Sequence, residues 1–582
     1  MNFNSVLKKN WVLNKYNNQE AIQISERFSL KEITSRLLSI RNIGIQNVEL
    51  FLNPTIKNTI PNPYQISDMG TAVTRVFESI KKSECIGIFG DYDVDGASST
   101  ALLAKYFNEI NQNVKTYIPD RQKDGYGPSI YGFDKLIKNG SKIIITVDCG
   151  TSSFEAIEFA QKKNVDVIVL DHHQSDINLP KAHSIVNPNR LDDNSNLNYL
   201  CAAGVCFMFL VALNKNMRDS KWFEMNKLSE PDILKFLDLV CLGTICDVVP
   251  LVKFNRSIVA QGLKILKNRT NLGLKTLYDM CNIQSQPTPY HVGYLIGPRI
   301  NAGGRVGKSS YGAELLISNN SERTYKIANE LSKYNKQRQE MEKELLANVI
   351  SEAEKNLKDP ILILSGENWH EGIIGIIAAR IKDKYHKPTF IISLKGANGK
   401  GSARSIFGFD IGTSIISAVQ SGILERGGGH KMAGGFSIKK NKISELKNFL
   451  IKKIEKIDIS SKTSNNLYFD AVLSPSAINE NFFHDVNLLS PFGSGNTEPI
   501  FVIEKLKIVN SFVLADKHLK IIFSGRNGHI VEAIAFNSKG GTLEGYLTKS
   551  YKKELNIAGK IIMNEWQGKK KIEFIIQDVA LQ

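Results

Sequence analysis

Short apolar runs alternate with stretches of helical periodicity over residues 84–170. The runs are rich in Ile and Val and too short for helices: CIGIF (85–89), NVKTYI (113–118), KIIITV (142–147) and VDVIVL (165–170). Helical spacing fills the intervals near residues 97–110, 130–138 and 153–163. Strands that alternate with helices in this way form parallel sheets with right-handed crossovers. The pattern therefore predicts an α/β fold whose sheet is covered on both faces.

The pattern divides the whole chain into five segments. Residues 1–80 are expected to be mostly helical and to pack on a first α/β domain at 81–318. A long polar helix at 319–357, with Asn319 as its expected cap, bridges to a second α/β domain at 358–464. From 465 to 582, short alternating strands predict a small β-barrel.

Composition narrows the class of protein. The formal net charge of +16 favours a polyanionic partner such as nucleic acid. Seven cysteines are too few for a disulfide scaffold of 582 residues. Neither a signal peptide nor an apolar run of about 18 residues is evident, so we expect a cytoplasmic protein without membrane association.

Acidic side chains follow the predicted strands at the points where they end. GDYDVDG (90–96) follows the first strand, and later strands run into Asp148 and into Asp171-His172-His173. Asp247 lies in the otherwise apolar stretch CLGTICDVVPL. Because parallel strands present their carboxyl ends at one sheet edge, these carboxylates converge there and would repel one another without a cation. Oxygen ligands select Mg²⁺ or Mn²⁺, and imidazole admits Mn²⁺.

Six carboxylates and two histidines exceed the ligand set of a single ion. Two ions about 3.5–4 Å apart fit the set better, since such pairs activate water and clamp a phosphoryl oxygen. The sequence therefore indicates hydrolysis of a phosphoryl ester or phosphoanhydride.

An ordered set of motifs over nearly the whole chain resembles the RecJ family of single-strand-specific exonucleases, within the DHH phosphoesterase superfamily. The set comprises GDYDVDG, VDCG (147–150), DHH (171–173), GTICDVVPL (243–251), GPRINAGGR (297–305), WHEGIIGIIAARI (369–381), GSARS (401–405), GGGHKMAGGFSI (427–438) and PFGSGNTEPIF (491–501). The resemblance implies a DHH catalytic domain, a DHH-associated substrate-binding domain and a C-terminal OB fold that binds nucleic acid.

The resemblance also implies a role for individual residues. The expected metal ligands are Asp91, Asp93, Asp95, Asp148, His172 and Asp247, with Asp148 bridging both ions. The expected catalytic residues are His173 at the phosphate, Asp171 orienting a histidine, and Arg299 stabilising developing charge. The expected DNA-binding residues are Arg121, Ser402 and Arg404 at a 5′-terminal phosphate, together with Arg305 and His430.

The implied activity is 5′→3′ hydrolysis of single-stranded DNA to mononucleotides with two Mn²⁺ or Mg²⁺ ions, in recombination and repair. Expected partners are single-strand-binding protein and recombination helicases. Alternatives are a phosphodiesterase for short oligonucleotides or cyclic dinucleotides, an inorganic pyrophosphatase, or a non-catalytic single-strand-binding replication factor.

Two further features bear on this interpretation. Many DHH enzymes have a metal-ligating histidine where this chain has Phe89, so the second ion is expected to depend more on Asp91. In the barrel, Tyr546, Tyr551 and Trp566 alternate with lysines and are candidates for base stacking, with core packing as the alternative.

Overall fold

The computed structural model describes residues 4–120, 124–125, 127–456, 465–549, 553–566 and 569–581. This part of the chain divides into two compact units. The barrel unit comprises the described residues of Met1–Ile60, Pro250–Gln261 and Ser464–Gln582, and the α/β unit comprises those of Pro61–Val249 and Gly262–Thr463. Within these described ranges, no helix combines the length and apolarity needed to cross a bilayer.

The strands are β1 (Asn4–Ser5), β2 (Asn10–Leu13), β3 (Ile86–Gly90), β4 (Val114–Tyr117), β5 (Ile143–Val147), β6 (Asp166–Leu170), β7 (Ser184–Val186), β8 (Leu362–Glu367), β9 (Thr389–Lys395), β10 (Asn398–Arg404), β11 (Arg426–His430), β12 (Ala433–Lys439), β13 (Asn466–Phe469), β14 (Ala471–Leu473), β15 (Phe501–Leu514), β16 (His518–Ser524), β17 (Ile530–Ala535), β18 (Leu555–Trp566) and β19 (Lys569–Leu581).

The helices are α1 (Asn18–Phe28), α2 (Glu32–Ile40), α3 (Val48–Leu52), α4 (Ile56–Thr59), α5 (Met69–Lys81), α6 (Val94–Glu109), α7 (Ile130–Lys138), α8 (Phe154–Lys162), α9 (Ala202–Asp219), α10 (Trp222–Met225), α11 (Leu237–Cys246), α12 (Lys253–Lys267), α13 (Leu272–Met280), α14 (Gly297–Val306), α15 (Tyr311–Ile317), α16 (Ser321–Lys355), α17 (Ile374–Tyr385), α18 (Ile411–Gln420), α19 (Ile443–Glu455), α20 (Glu480–Asn487) and α21 (Thr542–Lys549). A π-helix, His291–Ile296, precedes α14.

Five parallel strands form the first sheet of the α/β unit, in the order β4-β3-β5-β6-β7. Phe89, Ile144 and Val167 pack with α7 and α8 into one hydrophobic cluster. Ile88 and Ile145, which alternate with them along the strands, are equally buried. Both faces are therefore covered, and the predicted parallel α/β fold is confirmed.

The second sheet of this unit has the order β11-β12-β10-β9-β8, with only the β8–β9 pair parallel. Side chains alternate between its faces. Phe390 and Ile392 of β9 pack with α18 and α19, whereas Ile391 between them packs with α16 and α17.

The long helix α16 lies within the predicted range, but its cap differs from the prediction. Asn320, rather than Asn319, accepts a hydrogen bond from the backbone N–H of Arg323 at 2.8 Å. The capping residue must directly precede the first helical residue, here Ser321. Asn319 instead accepts a hydrogen bond from Lys105 Nζ at 3.2 Å.

The middle of α16 is polar, as predicted, and it carries a charged network in which Arg338 and Glu342 are largely buried. Arg338 pairs with Glu342 at 2.8 Å and also donates to Asn335. Arg380 of α17 donates to the second carboxylate oxygen of Glu342 at 3.1 Å. The network joins α16 to α17 through directional contacts.

The barrel unit contains a seven-stranded sheet in the order β1-β19-β17-β16-β15-β14, and β18 pairs with both β15 and β19. Apolar side chains on alternating positions of β15, β16 and β17 fill its core. The predicted C-terminal β-barrel is confirmed.

The N-terminal segment differs from the prediction. β1 pairs with β19 and β2 pairs with β13, so the segment contributes strands to the barrel unit. Ile24, Leu37 and Leu38 of α1 and α2 lie in the barrel's hydrophobic core. The 1–80 segment was predicted to pack on the first α/β domain. Its described residues up to Ile60 belong to the barrel unit instead, and those from Pro61 onward, which include α5, belong to the α/β unit.

A buried arginine holds three segments of the barrel unit together. Arg256 of α12 donates from Nε to the carbonyl of Phe51 at 2.8 Å, and from Nη2 to those of Leu489 and Ser490 at 3.0 and 2.8 Å. Its guanidinium lies 3.7 Å from the centroid of the Phe51 ring. Burial lowers the pKa of Arg256 to about 10, which leaves it charged at neutral pH.

We predict that Arg256→Met lowers the free energy of unfolding by about 2–4 kcal/mol, because buried carbonyls lose a charged donor. Denaturant titration followed by tryptophan fluorescence measures the change. Lys264→Met, at an exposed position of the same helix, is the matched control. Equal midpoints for the two variants would contradict the assigned role.

Candidate metal centre and active site

The first sheet presents acidic residues at its carboxyl edge. Asp91 directly follows β3, Asp148 follows β5, and Asp171 follows β6. The side chain of Asp93 caps α6, which places Asp95 in the first turn of that helix. The strands are hydrogen-bonded neighbours, so their ends lie together, as the sequence predicted.

The acidic residues and two histidines form three overlapping groups of potential ligand atoms. In each group the atoms lie within 4.8 Å of one another: Asp91, Asp93 and Asp148; Asp148, His172 and His173; Asp95, His172 and Asp247. His172 Nε2 is 3.2 Å from Asp148 Oδ1, and its Nδ1 is 3.7 Å from Asp247 Oδ2. The structure thus brings all six predicted metal ligands together, with Asp148 and His172 each shared by two groups.

Burial makes this cluster costly without a cation. Loss of hydration and the neighbouring carboxylates raise the pKa of Asp148 well above its usual range. The same causes raise the pKa of Asp95 to about 6 and that of Asp247 to about 8. Burial lowers the pKa of His172 to about 4, which keeps its imidazole neutral and able to ligate. Carboxylate oxygens with neutral imidazole suit Mn²⁺ or Mg²⁺.

Asp95 is held by the N-terminus of α9. Its Oδ2 accepts a hydrogen bond from the backbone N–H of Ala202 at 2.7 Å, and its Oδ1 accepts one from Ala203 at 3.0 Å. The positive end of the helix dipole partly offsets the burial of this carboxylate. Each oxygen retains a second lone pair for a cation.

Two residues of the cluster region adopt left-handed backbone conformations. Asp148 has φ +61°, and Val248, directly after Asp247, has φ +59°. Such a conformation is unusual for non-glycine residues, most of all for a β-branched one. Non-glycine residues in this region concentrate at functional sites, where the surrounding structure holds them.

Asp171 positions a histidine rather than joining the three groups. It accepts from Thr151 Oγ1 at 2.7 Å and from His173 Nδ1 at 2.8 Å. Although burial opposes ionisation, the hydrogen bond and charge of His173 hold the pKa of Asp171 below its usual range. Burial also disfavours the charged imidazole, but Asp171 and nearby carboxylates raise the pKa of His173 to about 9.

His430 approaches this pair from the second sheet. Its ring stacks with that of His173 at a centroid distance of 6.2 Å and an interplanar angle of 23°. Burial and the adjacent His173 lower the pKa of His430. The resemblance implied a DNA-binding role for His430, and the structure places its ring beside that of His173.

Residues that the sequence analysis missed support the DHH segment. Asn187 Nδ2 donates to Thr151 Oγ1 at 2.9 Å and to the carbonyl of His173 at 2.8 Å. Asn189 Nδ2 donates to the carbonyl of His172 at 2.5 Å. Asn187 directly follows β7, so the strand-end rule applied to the aspartates would also have identified it.

Ser402 and Arg404 lie together on β10, as predicted. Arg404 Nη1 is 3.3 Å from Ser402 Oγ. A Cβ on Gly375, in the first turn of α17, would lie 3.0 Å from Ser402 Oγ and 3.2 Å from Arg404 Nη2. A guanidinium, a hydroxyl and the N-terminus of a helix thus meet at one place, which is a favourable environment for a phosphate.

The other predicted arginines have different surroundings. Arg305 Nη1 donates to the carbonyl of Gly372 at 3.0 Å, which links α14 to the segment before α17. Arg299 donates from Nη1 to Leu295 at 2.6 Å, while its buried Nε has no hydrogen-bond partner among the described residues. Within those residues no ion pair joins Arg299 to the carboxylates. Arg121 lies outside the described residues.

Phe89 lies outside the three ligand groups. Phe89 packs in the sheet core against Tyr117 and Phe133, at centroid distances of 5.4 and 5.5 Å. Its side chain therefore takes no part in the ligand groups. Tyr546 is half-buried in α21; Tyr551 and the side chain of Trp566 lie outside the described part.

We predict that Gly243→Ala lowers hydrolytic activity by about 100-fold, since small displacements of catalytic groups have effects of this size. The new Cβ would lie 2.4 Å from Asp95 Oδ1 and 2.8 Å from Ala203 Cβ. Gly70→Ala, on an exposed face of α5, is the control. Steady-state rates and the Mn²⁺ concentration for half-maximal activity measure the effect; a G243A variant as active as G70A would contradict it.

Three family descriptions match separate parts of the chain. They are the DHH family, N-terminal domain, at residues 85–244; the DHHA1 domain at 346–456; and the RecJ OB domain at 469–578.

Two solved structures are similar in fold. The crystal structure of RecJ in complex with Mn²⁺ from Thermus thermophilus superposes with a TM-score of 0.80 at 24% identity, over 98% of this chain and 79% of that one. A crystal structure of exonuclease RecJ bound to manganese gives a TM-score of 0.58 at 27% identity, over 69% of this chain and 98% of that one.

A curated relative is similar over almost its full length. The single-stranded-DNA-specific exonuclease RecJ of Escherichia coli (strain K12) is 30% identical over 540 residues, which cover 91% of this chain and 92% of the relative. With the three matched domains and the shared fold, this similarity places the chain in the RecJ family of single-stranded-DNA-specific exonucleases.

Proposed function

We propose that this protein is a metal-dependent exonuclease that hydrolyses single-stranded DNA from the 5′ end to mononucleotides. The observation that carries the proposal is the buried cluster in which Asp148 belongs to two ligand groups at once. A shared carboxylate between two groups suits a pair of ions. The relatives' names supply the substrate, and the family resemblance supplies the 5′→3′ direction and the role in recombination and repair.

In this proposal two divalent ions, Mn²⁺ or Mg²⁺, are held by the six expected ligands. Asp91, Asp93 and Asp148 would hold one, and Asp95, His172 and Asp247 the other, with Asp148 reaching both. The chemistry that bound ions supply is activation of water and neutralisation of charge on the phosphate. The α9 N-terminus holds the carboxylate of Asp95, and Gly243 leaves the space that this carboxylate occupies.

His173 is the residue that we assign to the phosphate under attack. Asp171 accepts from its Nδ1 and so fixes the plane of the ring. The hydrogen bond and charge of Asp171 raise the pKa of His173 against the effect of burial. They favour a protonated imidazole, which can donate a hydrogen bond to a phosphate oxygen or a proton to the leaving oxygen. Arg299 is assigned to developing phosphoryl charge from the family resemblance alone.

We assign recognition of the 5′ end to Ser402 and Arg404 beside the first turn of α17, with Arg121 as a further donor. A terminal phosphate carries more negative charge than an internal diester, so it favours several fixed donors. Capture of the strand end at a set distance from the ions would define the product as one nucleotide. Arg305 and His430 complete the proposed DNA-binding residues.

The barrel and the acidic cluster weigh against the alternative functions. A phosphodiesterase for small substrates has no use for a barrel that matches the RecJ OB domain, since OB folds commonly bind oligonucleotides. A non-catalytic replication factor has no need of buried carboxylates, and here six potential ligands remain together.

We further propose that residues 81–318 form the catalytic domain, 319–357 the bridging helix, 358–464 the substrate-binding domain and 465–582 the nucleic-acid-binding domain. Single-strand-binding protein and recombination helicases are proposed partners on the family resemblance. Cytoplasmic localisation stays a prediction from the sequence.

We predict that Asp148→Ala reduces nucleotide release by about 1,000-fold or more, because the shared ligand of both groups is lost. Affinity for single strands should stay within a few fold, since other residues contact the strand. Release from 5′-labelled and 3′-labelled strands with Mn²⁺ measures activity, and fluorescence anisotropy measures binding. Asp219→Asn, at an exposed ion pair on α9, is the control; activity of D148A within tenfold of this control would exclude a bridging role.

We predict that Arg404→Ala lowers kcat/KM on 5′-phosphorylated strands by about 1.5–3 kcal/mol of transition-state binding, the range for hydrogen bonds to charged groups. The rate of the variant on 5′-phosphorylated strands should fall close to the rate of the wild type on 5′-hydroxyl strands. Arg323→Ala, at an exposed pair on α16, is the control. If the Arg404 variant keeps the wild-type preference for phosphorylated ends, the end-binding pocket lies elsewhere.

A further inference from the structure

Two exposed tyrosines stack on each other on an irregular helix of the α/β unit. Tyr290 and Tyr294 have ring centroids 5.3 Å apart and ring planes inclined by 22°. Their exposed fractions are 59% and 73%. Tyr294 lies in the π-helix His291–Ile296, and Tyr290 directly precedes it. π-Helical turns are rare and occur frequently at functional sites.

This helix packs on the part of α11 that leads into the acidic cluster. Cys246 Sγ contacts the carbonyl of Val292 at 3.8 Å. A Cβ on Gly293 would lie 3.3 Å from Ile245, and one on Gly297 would lie 2.5 Å from Cys246 Sγ. The last turn of α11 is therefore in close contact with the π-helix immediately before Asp247.

The acidic cluster also has an exposed apolar residue next to it in the chain. Val248 follows Asp247 and is 68% exposed in its left-handed conformation. Core packing does not account for the side chains of Tyr290, Tyr294 and Val248, because each presents most of its surface to solvent. Exposed apolar side chains on elements that pack beside an acidic cluster suit a ligand-binding surface.

The chemistry of the occupant follows from the neighbouring cluster. A phosphodiester held at the carboxylates carries nucleobases on either side, and an unpaired base has two apolar faces. Aromatic rings bind such faces by stacking, largely without regard to sequence. The net charge of +16 favours the same polyanion.

We propose that Tyr290 and Tyr294 form a base-stacking platform that holds a nucleobase of single-stranded DNA next to the metal centre. This inference rests on the proposed nuclease function and deepens it by assigning a site to the bases rather than the phosphates. The platform sets strand affinity and positioning, whereas the carboxylates perform the hydrolysis.

Binding and kinetics of three variants test the platform. Tyr294→Ala removes one ring, Tyr294→Phe keeps it, and Tyr325→Ala is the control at a tyrosine of α16 with 60% exposure. The substrates are 5′-phosphorylated oligonucleotides, either intact or with one abasic residue placed at successive positions from the 5′ end. Anisotropy without added metal gives affinity, and nucleotide release with Mn²⁺ gives kcat and KM.

We expect Tyr294→Ala to weaken binding of intact strands by about fivefold or more, the lower range for loss of one base–aromatic stack. KM should rise more than kcat falls, and Tyr294→Phe should match wild type. An abasic residue at one position of the strand should weaken binding by the wild-type protein and leave binding by Tyr294→Ala unchanged. Two results would overturn the platform. In the first, Tyr294→Ala loses the same affinity relative to wild type on intact strands and on every abasic strand. In the second, Tyr294→Ala and Tyr325→Ala bind intact strands equally well. Failure of the proposed function would instead appear as absence of nucleotide release by wild type.

Discussion

Mutual repulsion among buried carboxylates is the constraint on which the rest of this structure depends. Asp148 and its acidic neighbours lie at one sheet edge, away from most of the water that would screen them. Ionised carboxylates held close together in a buried position destabilise the folded state unless cations neutralise them. The sheet tolerates the arrangement because its central strands β3 and β5 are fully buried and hold their ends in place.

Asp148 and Asp171 are both buried aspartates, but their surroundings shift their pKa values in opposite directions. Asp171 is also buried, but hydrogen bonds from Thr151 and His173 keep it ionised, so it orients a histidine. Asp148 has no comparable set of donors among the described residues, and its pKa rises. The two aspartates therefore differ in role because of their hydrogen-bond partners rather than their burial.

Local patterns accounted for the sheet and for the acidic cluster. Strand periodicity and polar residues at strand ends predicted where Asp91, Asp148 and Asp171 would meet, since one rule governs every parallel strand. The motif resemblance identified Ser402 and Arg404, which no periodicity would single out. Asn187 follows a strand in the same way, but it was missed because an amide is neither a typical ligand nor a catalyst.

Contacts between residues that are far apart in the chain could not be predicted from the sequence pattern. Trp11 donates to Asp578 at 2.8 Å across almost the entire chain, and nothing in the N-terminal segment specifies that partner. The helical periodicity of α1 and α2 indicates an apolar face on each helix. It does not indicate whether that face packs in the core of the barrel unit or in that of the α/β unit. The π-helix was also unforeseen, because Tyr290 and Tyr294 at a spacing of four residues are equally compatible with an ordinary α-helix.

The central claim is that the buried carboxylates form one site for two divalent ions joined by Asp148. Isothermal titration calorimetry with Mn²⁺, supported by electron paramagnetic resonance, tests it most directly on the wild-type protein and on Asp148→Asn. The account predicts two Mn²⁺ ions per wild-type chain with a spin-coupled signal, and loss of that coupling in the variant. Two magnetically independent ions in the wild type, or stoichiometry and coupling unchanged in Asp148→Asn, would contradict it.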